Sequence, residues 1–294
     1  MRIAYTDRGF AVAHPGGGWI PLAELGIQAA EIADVIAQSE GIASAISEAS
    51  HDAEELHLLC PIVRPTKVLA IGLNYMDHIR ETKSPTPERP VLFAKFPSTL
   101  NGPFGDIVVD PALTEQADYE AELAVVIGKR ARRVSATDAL DYVFGYSVAN
   151  DVSARDWQYR DPQFDRSKGF DTFCPIGPWI TTADEVPDPQ SLAIRSWVNG
   201  EPRQDSSTKE MVHGVADLIE FLSRGMTLEP GDVILTGTPH GVGFAMKPPR
   251  FLAAGDLVRC EIEGLGAIEN NCIGPFAERP EPHSRDSVSL ATRS

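Results

Sequence analysis

The sequence predicts a mixed, β-rich (α+β) protein of mostly antiparallel strands, with a small α/β unit at its N-terminus. Three observations carry that class. Short apolar stretches bounded by Gly, Pro and Asp recur through residues 65–276, while helical patterns there are few. Residues 1–64 have a different texture and end in the proline-bearing "CPIVRPTK", read as a linker over about 60–66. The length, 294 residues, suits one large β-rich domain plus a small one.

The elements follow in order. "RIAYTDRGFAVAH" alternates like a hairpin, and "HPGGGW" is a turn-rich loop. "LAELGIQAAEIADVIAQSEGIASAISEAS" has helical composition and period. In the main body "KVLAIGLNY" is a short buried strand, "SPTPERP" a proline-rich loop, and "VLFAKFPSTL" and "GDIVVDP" are strands. "YEAELAVVIG" is a strand, "SATDALDYV" a helix and "FGYSVAND" another strand. "VHGVADLIEFLSRG" is an amphipathic helix stopped by Gly225. "LEPGDVILTGTPHGVGF" combines a turn, a strand and a glycine-rich loop, and "GDLVRCEIEGLGAIENNCI" is a hairpin turning at "EGLG". The polar, proline-bearing segment 277–294 is expected to be disordered.

Composition bounds the function. The formal net charge of −16 repels nucleic acid and anionic membranes, so neither is expected as a partner. No apolar run approaches the ~20 residues that span a bilayer. The first residues lack the continuous apolar core of a signal peptide, and a cytoplasmic location is expected. Cys60, Cys174, Cys260 and Cys272 have no CxxC spacing and read as buried hydrophobes rather than a zinc site or disulfide set.

The most informative stretch is "DYEAELAVVIG". Strand alternation puts Glu120 and Glu122 on one face, followed by Ala124 and Val126. Ala121, Leu123, Val125 and Ile127 form the other face, so the strand is expected to be covered on both sides. Two carboxylates at the mouth of a buried strand need a counter-charge, from Arg or Lys or from a divalent cation; a strand end surfacing into solvent would need none. Asp151, at the end of the following strand, could cap a helix or join the glutamates as a third carboxylate. Three such oxygens suit a hard ion, Mg2+ or Mn2+, with positions left open.

The motifs Glu-x-Glu, "NDVSARDWQ", "KGFDTFCPIGPW" and "GDVILTGTPHGVG", in that order, resemble the fumarylacetoacetate hydrolase family, as do "IGLNYMDHIRE" and "LFAKFPSTLNGP" upstream. The resemblance runs from about Lys67 to Phe276. It implies a β-sandwich roll, a homodimer, and one Mg2+ or Mn2+ per chain held by Glu120, Glu122 and Asp151. It places Lys168 in the active site and Lys95, Ser98, Arg155, Gln158, Gly237 and Thr238 around the substrate. His78 and Glu81, three apart and on one side of a helical turn, would form a water-activating pair on a lid. That lid lies beside a proline-rich loop and is expected to order only over substrate.

These parts imply a small 2-oxo acid substrate and an enolate stabilised by the metal and Lys168. The expected reaction is hydrolysis of a C–C bond in an acylpyruvate-like 2,4-dioxo acid. The alternatives are decarboxylation of an oxaloacetate-like acid, isomerisation or hydration of 2-oxo diacids in catabolism, and a non-catalytic metal-binding relative.

Overall fold

The structure is a computed structural model that describes residues 1–48 and 53–275. The segment expected to be disordered, 277–294, lies outside the described residues.

Two sheets carry the fold. The larger has eleven strands. Its centre is Ala121–Ile127, paired antiparallel with Val143–Asn150 on one side and Val233–Leu235 on the other. Val143–Asn150 continues to Cys174–Thr182, and Val233–Leu235 continues in parallel to Val68–Gly72 and then to Val91–Lys95. The second sheet orders Glu201–Ser207, Ala193–Val198, Leu257–Ile262, Gly266–Ile273 and Ile107–Val108. The hairpin at "EGLG" therefore forms as its pattern predicts. The segment 135–143 does not become an α-helix; only a 3-10 turn forms, at Ala139–Tyr142.

Both faces of the central strand are covered, by different partners. Leu123, Val125 and Ile127 pack into a core with Ile194, Val258 and Ile268 of the second sheet and Leu218 and Leu222 of the helix Val215–Gly225. Ala124 and Val126 face a second core built from Ile3, Ile20, Ile32 and Val35. Burying these side chains stabilises each face by roughly 1.5–3 kcal/mol per Leu, Ile or Val. The N-terminal residues, set apart on sequence, are thus joined to the main body in packing. Their strand Arg2–Thr6 pairs antiparallel with Cys174–Thr182 and extends the large sheet. Their predicted helical stretch divides into a 3-10 turn at Leu22–Leu25 and helices Ile32–Ala37 and Ser39–Glu48. Three of the four cysteines are buried and all are unpaired; burial pushes the Cys60 and Cys174 thiols up to about 12, which keeps them inert.

The register of the central pair positions the site. Ala121 stands opposite Asn150, so Asp151 emerges at the same end of the sheet as Glu120 and Glu122. The Asp151 N–H donates to the Glu120 carbonyl at 2.9 Å, which fixes the two carboxylates side by side.

Candidate active site

Glu120, Glu122 and Asp151 are all buried, and each offers an oxygen within 4.8 Å of the others. Like charges at that spacing repel strongly out of water, so the surroundings must compensate them. Lys168 Nζ donates to Glu120 Oε2 at 2.6 Å, to Asp151 Oδ2 at 2.6 Å and to Ser153 Oγ at 2.8 Å. Lys95 Nζ donates to Asp151 Oδ1 at 2.6 Å and to the Lys168 carbonyl. Arg155 Nη2 stands 2.7 Å from Glu120 Oε1.

The compensation is uneven. Burial alone would raise Glu120, but Lys168 and Arg155 outweigh it and hold its carboxyl down at about 2. Burial, reinforced by repulsion from Asp151 and Glu120, pushes Glu122 well above the usual carboxylate range. Glu122 Oε2 accepts only a backbone N–H, from Gly237 at 2.8 Å, and among the described residues no Lys or Arg pairs with it. Burial lowers the Lys168 ammonium, but Asp151 and Glu120 more than reverse this, and it stays charged. A site with three convergent hard-oxygen donors, one of them lacking a cationic partner, fits a divalent cation.

Glu120 and Glu122 open onto a cavity of about 320 Å³ that His78, Arg155, Gln158, Lys168, Thr238 and Phe244 also line. His78 is 6% exposed on the helix Met76–Thr82. Its Nδ1 lies 3.3 Å from Glu81 Oε2, and Glu81 Oε1 accepts the Gly241 N–H at 3.0 Å. The pair expected on a lid that orders over substrate is therefore already docked against the 237–244 loop.

Two expected pocket residues are placed elsewhere. Ser98 is exposed at a 3-10 turn, Pro97–Thr99, and does not line the cavity. Its neighbour Thr99 turns inward and bonds the Phe96 carbonyl, so the inward side of this short turn is one residue further on. Lys95 is fully buried behind Asp151 rather than facing substrate. Strand pairing of Val68 with Lys95 directs it there. Gly237 acts through its backbone on Glu122, and the Thr238 hydroxyl donates to the Ala121 carbonyl at 2.9 Å.

Three contributors escape the sequence reading. Gln204, from the second sheet, donates to Thr238 Oγ1 and the Pro239 carbonyl and accepts the Ala121 N–H, joining the two sheets at the site. Phe244 meets the His78 ring edge-on at 6.2 Å between centroids. Asp118, fully buried, pairs with Arg155. Asp118 precedes Glu120 by the same two-residue step that separates the glutamates, but it sits on a separate short strand, Ala117–Asp118, and that spacing does not reveal its partners.

A β-rich roll with a carboxylate triad, a buried lysine and a His–Glu pair around one cavity defines the class. The chain belongs to the fumarylacetoacetate hydrolase family, matching the fumarylacetoacetate (FAA) hydrolase C-terminal pattern over residues 67–273. Among curated relatives it is 50% identical over 221 residues to the oxaloacetate tautomerase FAHD2A, mitochondrial, of Bos taurus and of Homo sapiens. That alignment spans 74% of this chain and 70% of each relative. Among solved structures it resembles the fumarylacetoacetate hydrolase of Exiguobacterium antarcticum (40% identity, TM-score 0.84), covering 93% of this chain and 99% of that one. It also resembles maleylpyruvate hydrolase from Sphingobium sp. SYK-6 in complex with manganese(II) and pyruvate (32% identity, TM-score 0.77), with the same coverage. The cytoplasmic location expected from sequence is corrected by the curated relatives, which are named as mitochondrial. The absence of an apolar signal core does not choose among compartments.

Proposed function

We propose that this chain is a divalent-metal-dependent enzyme that interconverts keto and enol forms of a small 2-oxo diacid, with oxaloacetate as the first candidate. The observation that carries the reading is that His78, backed by Glu81, and Arg155 line the same small cavity as Glu120 and Glu122. Identity of 50% to relatives named oxaloacetate tautomerases supports it.

Keto–enol exchange moves one proton from the carbon beside the carbonyl to the carbonyl oxygen. It needs a base and a polarised oxygen, and no attacking water. Glu120, Glu122 and Asp151 would hold Mg2+ or Mn2+, and that ion would supply Lewis-acid polarisation of the carbonyl. Glu81, accepting from His78 Nδ1–H, leaves Nε2 as the ring nitrogen able to take the carbon-bound proton and return it to oxygen. All three Lys168 ammonium protons have protein partners. Its part is therefore to hold Glu120 and Asp151 together and add positive charge beside the substrate oxygens. Arg155 supplies a fork of donors for a carboxylate.

Hydrolysis of an acylpyruvate is the second reading, favoured by the likeness to maleylpyruvate hydrolase at 32% identity. The same His–Glu pair would then activate water. The two separate in one experiment on Mn2+-loaded protein. Enol-oxaloacetate decay is followed by ultraviolet absorbance, and pyruvate release from an acylpyruvate by a coupled assay. Catalysed decay without pyruvate release supports the tautomerase; pyruvate release with uncatalysed decay overturns it. The homodimer suggested by family resemblance stands as a further proposal, tested by sedimentation at micromolar concentration.

A further inference from the structure

Asp118 makes more hydrogen bonds than any carboxylate of the triad, yet it offers no oxygen to it. Its side chain is fully buried. Oδ2 accepts Arg155 Nε–H at 2.9 Å and the Phe244 N–H at 3.0 Å. Oδ1 accepts the Gly243 N–H at 2.8 Å and the Tyr119 N–H at 2.9 Å. One carboxylate thus ties together the helix Arg155–Gln158 and the loop bearing Phe244. A small ladder reinforces the tie, with Ser153–Ala154 paired to Ala117–Asp118. The loop approaches so closely that a Cβ on Gly243 would fall 2.6 Å from Asp118 Oδ1.

The two groups so held meet in the cavity. The Arg155 guanidinium lies over the Phe244 ring, 4.4 Å from its centroid, and the same ring abuts His78. With Nε fixed by Asp118 and Nη1 donating to Gln158 Oε1, the guanidinium plane has one orientation. Arg155 Nη2 is buried against Glu120 Oε1 at 2.7 Å, so all three guanidinium nitrogens are held. Arg155 itself lines the cavity, beside Phe244 and His78, where an incoming carboxylate would meet its positive charge.

We propose that Asp118 is a positioning residue: it presets Arg155 and its Phe244 backing to receive the second carboxylate of a diacid. The inference rests on the 2-oxo diacid reading above. Asp118 touches no substrate and acts wholly through Arg155 and Phe244. One oxygen of its carboxylate accepts from both at once. In Asp118→Asn an amide NH2 replaces one oxygen, so in either orientation a donor faces two N–H donors and the guanidinium loses its charged anchor.

The test uses the full Mn2+-loaded chain. In Asp118→Asn the KM for oxaloacetate should rise about 10- to 100-fold, the usual effect of losing a charged hydrogen bond, with kcat within about 3-fold. The inhibition constant of pyruvate, which lacks the second carboxylate, should stay within about 3-fold. Arg155→Lys keeps the charge but has no Nε–H for Asp118, and should raise the same KM comparably. The double variant should be no worse than the more affected single one. A fall in kcat at constant KM, equal shifts for oxaloacetate and pyruvate, or additive effects would overturn the proposal. If wild type does not turn over oxaloacetate, the tautomerase reading fails, and Asp118 is judged by calorimetric binding of malonate against acetate. Selective loss of malonate affinity in Asp118→Asn sustains it; equal loss or none overturns it.

Discussion

Replacing Glu122 by Gln should make the metal-free protein more stable and the metal-loaded protein less so. The buried cluster holds four carboxylates, Asp118, Glu120, Glu122 and Asp151, against three cations, Lys95, Lys168 and Arg155. One negative charge is left over, and it falls on Glu122, whose carboxyl is pushed well above the usual range by burial and then by Asp151 and Glu120. Gln keeps the oxygen that accepts from Gly237 and removes the charge. The relief should be about 1–3 kcal/mol near neutral pH, the usual penalty for a buried polar or charged group without a partner. At roughly 2–4 °C per kcal/mol for a chain of this size, that is a readable rise in Tm in EDTA. The pH dependence has a definite sign. Because the folded carboxyl is raised above its free value of 4.5, wild-type stability falls as pH climbs from that value, and Glu122→Gln escapes the fall. The gap should be small near pH 4.5 and widen as pH rises. With Mn2+ at about 1,000 times the wild-type Kd, wild type should gain about 4.1 kcal/mol, and Glu122→Gln much less, so the order of stability inverts. Thermal melts of both proteins across pH, with EDTA and with Mn2+, supply the measurement. A variant no more stable than wild type in EDTA, or one stabilised equally by Mn2+, would refute the charge count.

Three other outcomes are expected. His78→Ala should lower catalysed enol-oxaloacetate decay about 10²- to 10⁴-fold while leaving the Mn2+-induced rise in Tm intact; loss of both would place His78 in the metal site instead. Lys95→Met should destabilise by about 3–5 kcal/mol in denaturant melts, because Asp151 keeps its burial and loses one ion-pair partner. Leu123→Ala should cost about 2–5 kcal/mol by leaving a cavity between the two sheets, with KM for any substrate unchanged in the folded fraction.

The sequence disclosed alternation and therefore faces. The two faces of Ala121–Ile127 and the shared direction of Glu120 and Glu122 are consequences of a two-residue period, and both appear in the fold. Reach is a different matter. Lys95 and Ser98 lie near the cavity in the chain, but whether a side chain enters it depends on strand partners and on the phase of a three-residue turn, which no local pattern sets. The strands Ala193–Val198 and Glu201–Ser207 carry little apolar alternation, although Asn199-Gly200 between them is a strong hairpin signal. Both residues take positive φ, 53° and 76°, as a two-residue turn of that type needs. Gln204, which reaches the site from the second sheet, depends on that hairpin. Asp118 was hidden for another reason: its partners, Gly243 and Phe244, are more than 120 residues away.

The pairing of Arg2–Thr6 with Cys174–Thr182 separates two units that are easily equated. The family's C-terminal pattern covers 67–273, but core packing does not stop at that boundary. A chain begun at residue 67 would bare the outer edge of Cys174–Thr182 and the apolar face containing Ala124, Val126 and Ile180. An open strand edge beside an uncovered hydrophobic surface is a template for intermolecular pairing. The matched pattern and the packed unit therefore have different ends, and the first N-terminal strand serves as a seal on the scaffold that holds the carboxylates in register.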